Sequence, residues 1–351
     1  MFTDQANVFI TSRDARVNVF ANIVDFSDYV WLVLGTTVLS MLLTRQFVSL
    51  AVHKSWTVEP NERSSHSDDK PFGGGGVVIS VALAAWLIFG KPTDPVGLGV
   101  LAATIGLAII SWIDDLKMVH FGLRLSLQVI AVSLVLWLLP ADQRILSDDW
   151  PLLMERVITG FGWIWLINLY NFMDGIDGLA ATETIAICIG LAIVGMIIGL
   201  PTNLLILAVV LGGATLGFLP WNWHRSKIML GDLGSIPIGF LLGFLLLNLA
   251  IRGYVLAALI LPLYFVTDAS ITLVRRMLER KKFWQPHREH FYQRTVQAGL
   301  THDQVVLKVI VTNIILVCTA FWSISQPLWA ALLAFAAVAF LMIHFHLLSK
   351  G

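Results

Sequence analysis

Thr202-Asn-Leu-Leu-Ile-Leu-Ala-Val-Val-Leu-Gly-Gly-Ala-Thr-Leu-Gly-Phe-Leu-Pro220 contains no charged residue. A helix needs about 20 such residues to cross ~30 Å of hydrocarbon. The run is apolar at consecutive positions, whereas strands of a membrane barrel alternate with period two. The stretch therefore reads as a membrane helix. The same window carried outward yields about eleven spans, near 29–50, 73–90, 95–113, 122–140, 155–172, 178–199, 202–220, 236–250, 252–274, 305–323 and 326–348. The expectation is an all-α integral membrane protein, one polytopic domain over 1–351, with 1–28 as an external N-terminal segment and 275–304 as a long cytoplasmic loop.

Composition agrees with that expectation. Hydrophobic residues make up 57% of the chain and charged ones only 13%, half the share of an average soluble domain at roughly 25%. Lys and Arg together number 23, as do Asp and Glu, so no net charge favours a nucleic-acid partner. The partner implied is the lipid bilayer. Cys188 and Cys318 sit inside apolar runs and suggest neither a disulfide framework nor a thiolate metal site. The opening stretch lacks a basic segment followed by a short apolar core and cleavage site, so it does not read as a cleavable signal peptide. With the N-terminus outside, most of the 23 basic residues fall in inner loops, among them Arg45, Lys70, Lys117, Arg124, Arg225 and Arg275. That asymmetry predicts an inner (cytoplasmic) membrane protein, N-out and C-in, with its working face toward the cytoplasm.

The polar residues of those inner loops form five groups. Residues 168–179 read Asn-Leu-Tyr-Asn-Phe-Met-Asp-Gly-Ile-Asp-Gly-Leu, with Asn168, Asn171, Asp174 and Asp177 at three-residue spacing in an apolar chain. Capping of the next helix explains Asp177. It does not explain Asp174, Asn168 or Asn171, and polar groups at such a boundary are costly unless a ligand uses them. Asp114-Asp115 are adjacent carboxylates that call for a metal or a positively charged partner, which Lys117 could supply, although a solvated helix end would look the same. Gly231-Asp232-Leu233-Gly234-Ser235 presents an approachable carboxylate suited to a hard divalent cation, or simply a turn. Pro60-Asn61-Glu62-Arg63-Ser64-Ser65-His66, followed by Lys70 and the glycines Gly73 to Gly76, offers cations and unobstructed backbone N–H groups for an anion. Close helix packing is the alternative use of Gly73 and Gly74. Lastly, His287, His290 and Arg294, spaced i, i+3 and i+7, would share one face of a short amphipathic helix and suit phosphates. Gly299 is placed to end that helix, and Thr301 with Gln304 to cap the next one. Asp268 is placed to pair with Arg275 or Arg276.

In this order and on one face, these motifs resemble the polyprenyl-phosphate N-acetylhexosamine-1-phosphate transferases, relatives of phospho-MurNAc-pentapeptide translocase. The resemblance covers nearly the whole chain from about residue 30. It implies that undecaprenyl phosphate attacks the sugar-linked phosphorus of a UDP-N-acetylhexosamine, giving the lipid-linked diphosphate sugar and UMP. It further implies Mg²⁺, with Mn²⁺ as a substitute, held by Asp232. Asp114 and Asp115 would stand near the lipid phosphate. Asn171, Asp174 and Asp177 would form the nucleotide side of the cleft, and His287 with His290 the diphosphate-sugar loop. The sequence His287-Arg288-Glu289-His290, in place of a His-x-His-His run, looks like the branch that starts O-antigen. A homodimer is compatible with such a membrane enzyme. The competing class is a secondary transporter or lipid flippase, but those place ionisable groups near the midplane and show internal repeats. No repeated halves are visible in this chain.

Overall fold

The computed structural model describes residues 12–54, 56–58, 70–117, 119–146, 149–282 and 287–350; for 12–25 and 57–58 it describes the backbone alone. Among these residues lie thirteen α-helices. They are α1 (Ser12–His53), α2 (Gly75–Ala85), α3 (Pro95–Lys117), α4 (Phe121–Leu138), α5 (Leu152–Met173), α6 (Leu179–Ile198), α7 (Thr202–Asn222), α8 (Asp232–Ile251), α9 (Val255–Ile260), α10 (Leu263–Leu278), α11 (Phe291–Gln297), α12 (His302–Trp322) and α13 (Pro327–Leu348). Among the described residues nine helices are long and apolar enough to cross a membrane, the first being the Phe26–His53 part of α1. Two further expected spans take other forms. The second is a shorter apolar helix, Gly75–Gly90, in which α2 runs into a π-helical turn at Trp86–Gly90. The ninth is split into α9 and α10 around Pro262, because proline removes a backbone donor and clashes with the preceding turn. The fold is all-α, apart from a two-residue antiparallel pairing of β1 (Thr57–Val58) with β2 (Lys70–Pro71).

Helix α8 is the centre of the bundle, buried along almost its whole length and packed against α3 and α5. Backbones approach closely there because side chains are missing. A Cβ on Gly75 would lie 2.1 Å from the Cα of Gly234, so α2 meets the start of α8 glycine to glycine. The end of α3, the start of α4, the ends of α5 and α7, and the starts of α6, α8 and α12 converge at one end of the bundle. They are joined there by the contacts described below. Expected topology makes this the cytoplasmic end. In intact cells, a cysteine replacing exposed Arg225 should therefore resist impermeant maleimide, and one replacing exposed Lys91 should react. The opposite labelling pattern would reverse the orientation.

Candidate active site

Two polar centres lie side by side at the converging helix ends. The first is built around carboxylates. Asp114 and Asp115 occupy the last turn of α3, and Asp232 is the first residue of α8. Asp115 accepts the N–H of Asp232 (3.2 Å) and of Leu233 (3.1 Å), which satisfies two of the orphan donors at the start of α8. Gly231, at φ +75°, makes this approach available: a Cβ there would come within 3.0 Å of the Asp115 carboxylate. Asp232 receives Nδ2 of Asn171 at 2.8 Å, and the same amide reaches Ser235 Oγ at 2.8 Å. Arg124, in the first turn of α4, pairs with both Asp114 and Asp232, the latter at 3.0 Å. Asp174 lies just after α5. Burial, and then the neighbouring carboxylates of Asp232, Asp115 and Asp177, raise it well above the usual carboxylate range.

The second centre is a hub on Asp177. Lys70 Nζ reaches its two oxygens at 2.9 and 3.1 Å, Ser226 Oγ donates at 2.7 Å, and the Ser226 N–H at 3.2 Å. His224 and His302 each place Nδ1 at 3.2 Å from Oδ2. Burial alone would raise Asp177, but hydrogen bonds from His302, Ser226 and Lys70 outweigh it and hold the carboxyl well below the usual range. A small cavity separates the two centres, lined by Asp174, Asp177, Asn222, Met229, Leu230 and His302. Asp174 and Asp177 are thus driven in opposite directions within one short turn. Asp177 stands as a fixed anion, while Asp174 responds to whatever charge enters beside it.

The loop between α10 and α11 is shaped by Asp268 of α10. Its carboxylate accepts the N–H of Phe291 (3.1 Å) and Tyr292 (3.3 Å), the first amides of α11, and lies 3.3 Å from His290 Nδ1. Tyr292 then donates its hydroxyl to Phe172 O at 3.0 Å, fastening the loop to the end of α5.

The sequence model of glycosyl transferase family 4 matches residues 97–250, the stretch that contains every residue of the carboxylate centre. A decaprenyl-phosphate N-acetylglucosaminephosphotransferase of Mycolicibacterium smegmatis is 30% identical over 74% of this chain and 73% of its own length. The chain belongs to glycosyl transferase family 4. Within the family it also resembles a probable undecaprenyl-phosphate N-acetylglucosaminyl 1-phosphate transferase of Bacillus subtilis, 26% identical over 86% of this chain and 87% of the relative. A phospho-N-acetylmuramoyl-pentapeptide-transferase of Wolbachia (subspecies Brugia malayi) is 26% identical over 70% and 82%.

Several expected roles change in this family 4 chain. The partner of Asp114 is Arg124; Lys117 makes no ion pair among the described residues. Asp268 pairs with neither Arg275 nor Arg276, because Glu289 takes both arginines, Arg275 at 3.6 Å. His287, His290 and Arg294 do not share a helical face. Helix α11 starts only at Phe291, with His290 as its N-cap, and the His287 and His290 rings stack at 4.8 Å before it. Nor is His287 a cation: burial, then His290 and Arg276, push it down to about 3, so it offers neutral hydrogen-bonding atoms. Gly73 and Gly74 serve packing. A Cβ on Gly73 would strike Trp112 at 2.7 Å and one on Gly74 would strike Phe218 at 2.4 Å, while the N–H groups of Gly74 and Gly75 already donate to Met229 O and Leu230 O. Asn168 donates to Gln128 Oε1 at 2.7 Å and to Ile164 O at 2.8 Å. Gly178 rather than Asp177 precedes α6 as its cap. Gly299 at φ +107° and the Thr301–Gln304 capping box stand as expected. Arg63 and His66 lie outside the described residues.

The donors of the carboxylate centre fit Mg²⁺, since Asp114, Asp115, Asp174 and Asp232 are hard oxygen ligands with a single guanidinium, Arg124, among them. Asp177 with His224 and His302 also brings three metal-ligating atoms within 4.8 Å of one another. There the Lys70 ammonium already covers both carboxylate oxygens, and a cation would have to sit against it.

Proposed function

We propose that the chain transfers N-acetylhexosamine 1-phosphate from a UDP-sugar to undecaprenyl phosphate, releasing UMP and starting a lipid-linked glycan such as O-antigen, on the cytoplasmic face of a bacterial inner membrane. The observation that carries this reading is the gathering of Asp114, Asp115, Asp174 and Asp232 at one end of a membrane bundle, with Arg124 paired to Asp114 and Asp232. The polyprenyl-phosphate substrates in the relatives' names support the acceptor.

In this reaction an oxygen of the acceptor phosphate attacks the sugar-linked phosphorus, a new P–O bond forms, and the bond to the UMP oxygen breaks. One phosphoanhydride replaces another, so the protein's work is to hold two anionic groups in line. No proton need be removed, because a phosphate monoester with a second pKa near ~6 is already mostly ionised at neutral pH. Asp114 and Asp115 then orient rather than act as bases: Asp115 fixes the start of α8, and Asp114 holds Arg124 where it also meets Asp232. A bound Mg²⁺, on Asp232 with its neighbouring carboxylates, would neutralise the diphosphate. Asp174 would then ionise, since a nearby cation reverses the influence of the surrounding carboxylates.

His287, neutral and half-buried at the mouth of the last loop, is placed to meet the soluble sugar nucleotide rather than the lipid. Replacing it by Ala should raise KM for the UDP-sugar by roughly five- to tenfold, with KM for undecaprenyl phosphate unchanged. A change confined to the lipid KM would move this loop into the acceptor path. Purified protein assayed against a panel of UDP-N-acetylhexosamines, with UMP release as readout, tests the donor class.

A further inference from the structure

Glu183 of α6 has no exposed surface and lies in an apolar helix, and among the described residues no basic side chain pairs with it. Its one hydrogen bond comes from Asn313 of α12, Nδ2 to Oε2 at 2.7 Å. Two buried atoms of this pair are left without a partner, Glu183 Oε1 and Asn313 Oδ1. Both are acceptors when the carboxyl group is ionised, and a lone carboxylate in such a place would also be unpaired charge. A single proton removes both faults. With the acid O–H on Oε1 donating to Asn313 Oδ1, and the amide donating to Oε2, acid and amide complete a reciprocal pair.

The position of this pair gives it a consequence. Glu183 follows Asp177 after little more than one helical turn, and α12, which carries Asn313, begins at His302. His302 Nδ1 lies 3.2 Å from Asp177 Oδ2 and 3.2 Å from the Asp177 backbone nitrogen. The two helices that the pair joins are therefore the two that bring His302 to Asp177. We propose that Glu183 is a proton-bearing acid paired with Asn313, and a positioning residue that sets α12 against α6 and so His302 against Asp177. The positioning half of this claim rests on the transferase reading; the proton does not.

Infrared difference spectra of the purified full-length protein, wild type minus Glu183→Gln, should show the carbonyl stretch of a protonated carboxyl group. Its absence overturns the acid–amide pair. In the UMP-release assay, Glu183→Gln should remain within about twofold of wild type, because an amide can exchange two hydrogen bonds with Asn313 without a proton. Glu183→Ala should lose about tenfold or more in kcat/KM for the UDP-sugar, since small misplacements at a reacting centre are costly. A Gln variant as impaired as the Ala variant would mean that the carboxyl group itself is required, and an Ala variant equal to wild type would remove the positioning role. If Glu183→Ala does not fold, the infrared band and the Gln variant still decide. A wild type inactive with every UDP-sugar would overturn the transfer reading and the positioning claim together, while the band would still stand or fall alone.

Discussion

Asp232→Asn should reduce UMP release on the order of 100-fold or more at saturating Mg²⁺, while leaving the protein folded in detergent. The amide keeps the size and polarity of the side chain but loses the charge that binds a hard cation. The loss should not be structural in origin. The start of α8 is capped by Asp115 through the backbone N–H groups of residues 232 and 233, and neither bond involves the Asp232 side chain. Activity within a few-fold of wild type would show that Asp232 merely serves the turn before α8.

Asp177→Asn should have the largest effect on stability. Lys70 and Asp177 are both almost fully buried, with side-chain exposures of 11% and 7%, and removing one partner of such a pair strands the other charge. The cost is about 3–5 kcal/mol, visible as a lower thermal midpoint at pH 7. The pH dependence has a definite sign. Asp177 is held below the usual carboxylate range, so its contribution is complete above that range and is lost as pH falls through it toward the depressed folded value. The midpoint of the wild type should fall below about pH 4, the ordinary carboxylate pKa, with a component that Asp177→Asn lacks. Equal midpoints at pH 7, or the same acid sensitivity in both proteins, would mean that the hub contributes little to the fold.

The spans were legible because membrane helices are apolar at consecutive positions, and the reading differed where Pro262 divides the ninth run, where the second run forms only the short helix Gly75–Gly90, and where α1 already begins at Ser12. Asp114, Asp115, Asn171, Asp174, Asp177 and Asp232 were legible for the converse reason: a polar group at an apolar boundary needs an explanation. Their partners were less visible. Arg124 reads as one of many basic residues at an inner flank, and nothing local marks it as the guanidinium shared by Asp114 and Asp232. Lys117, only two residues from Asp115, offered a partner because sequence distance is visible and spatial distance is not. His224 and Ser226, in the loop after α7, and His302, at the start of α12, are far apart in sequence and meet at Asp177.

The last loop shows how extrapolated periodicity misleads. A helical repeat carried through His287 and His290 places them beside Arg294, but Asp268 caps the chain at residues 291 and 292, and the helix cannot extend back past His290. The capping relation between His290 and Gln293 was present in the sequence and could have set that boundary. Glycines 73 and 74 were ambiguous in principle, since a missing side chain serves close packing and phosphate binding equally well. The occupied amides of Gly74 and Gly75 and the rings of Trp112 and Phe218 show the close packing.

The most direct test of this account is UMP release by the purified protein supplied with undecaprenyl phosphate, a panel of UDP-N-acetylhexosamines and Mg²⁺. At least one donor should give UMP and a lipid-linked diphosphate sugar in equal amounts, with release abolished by omitting either the lipid or the divalent cation. Transport or flipping of a lipid-linked substrate in proteoliposomes, with no UMP formed from any donor, would contradict it.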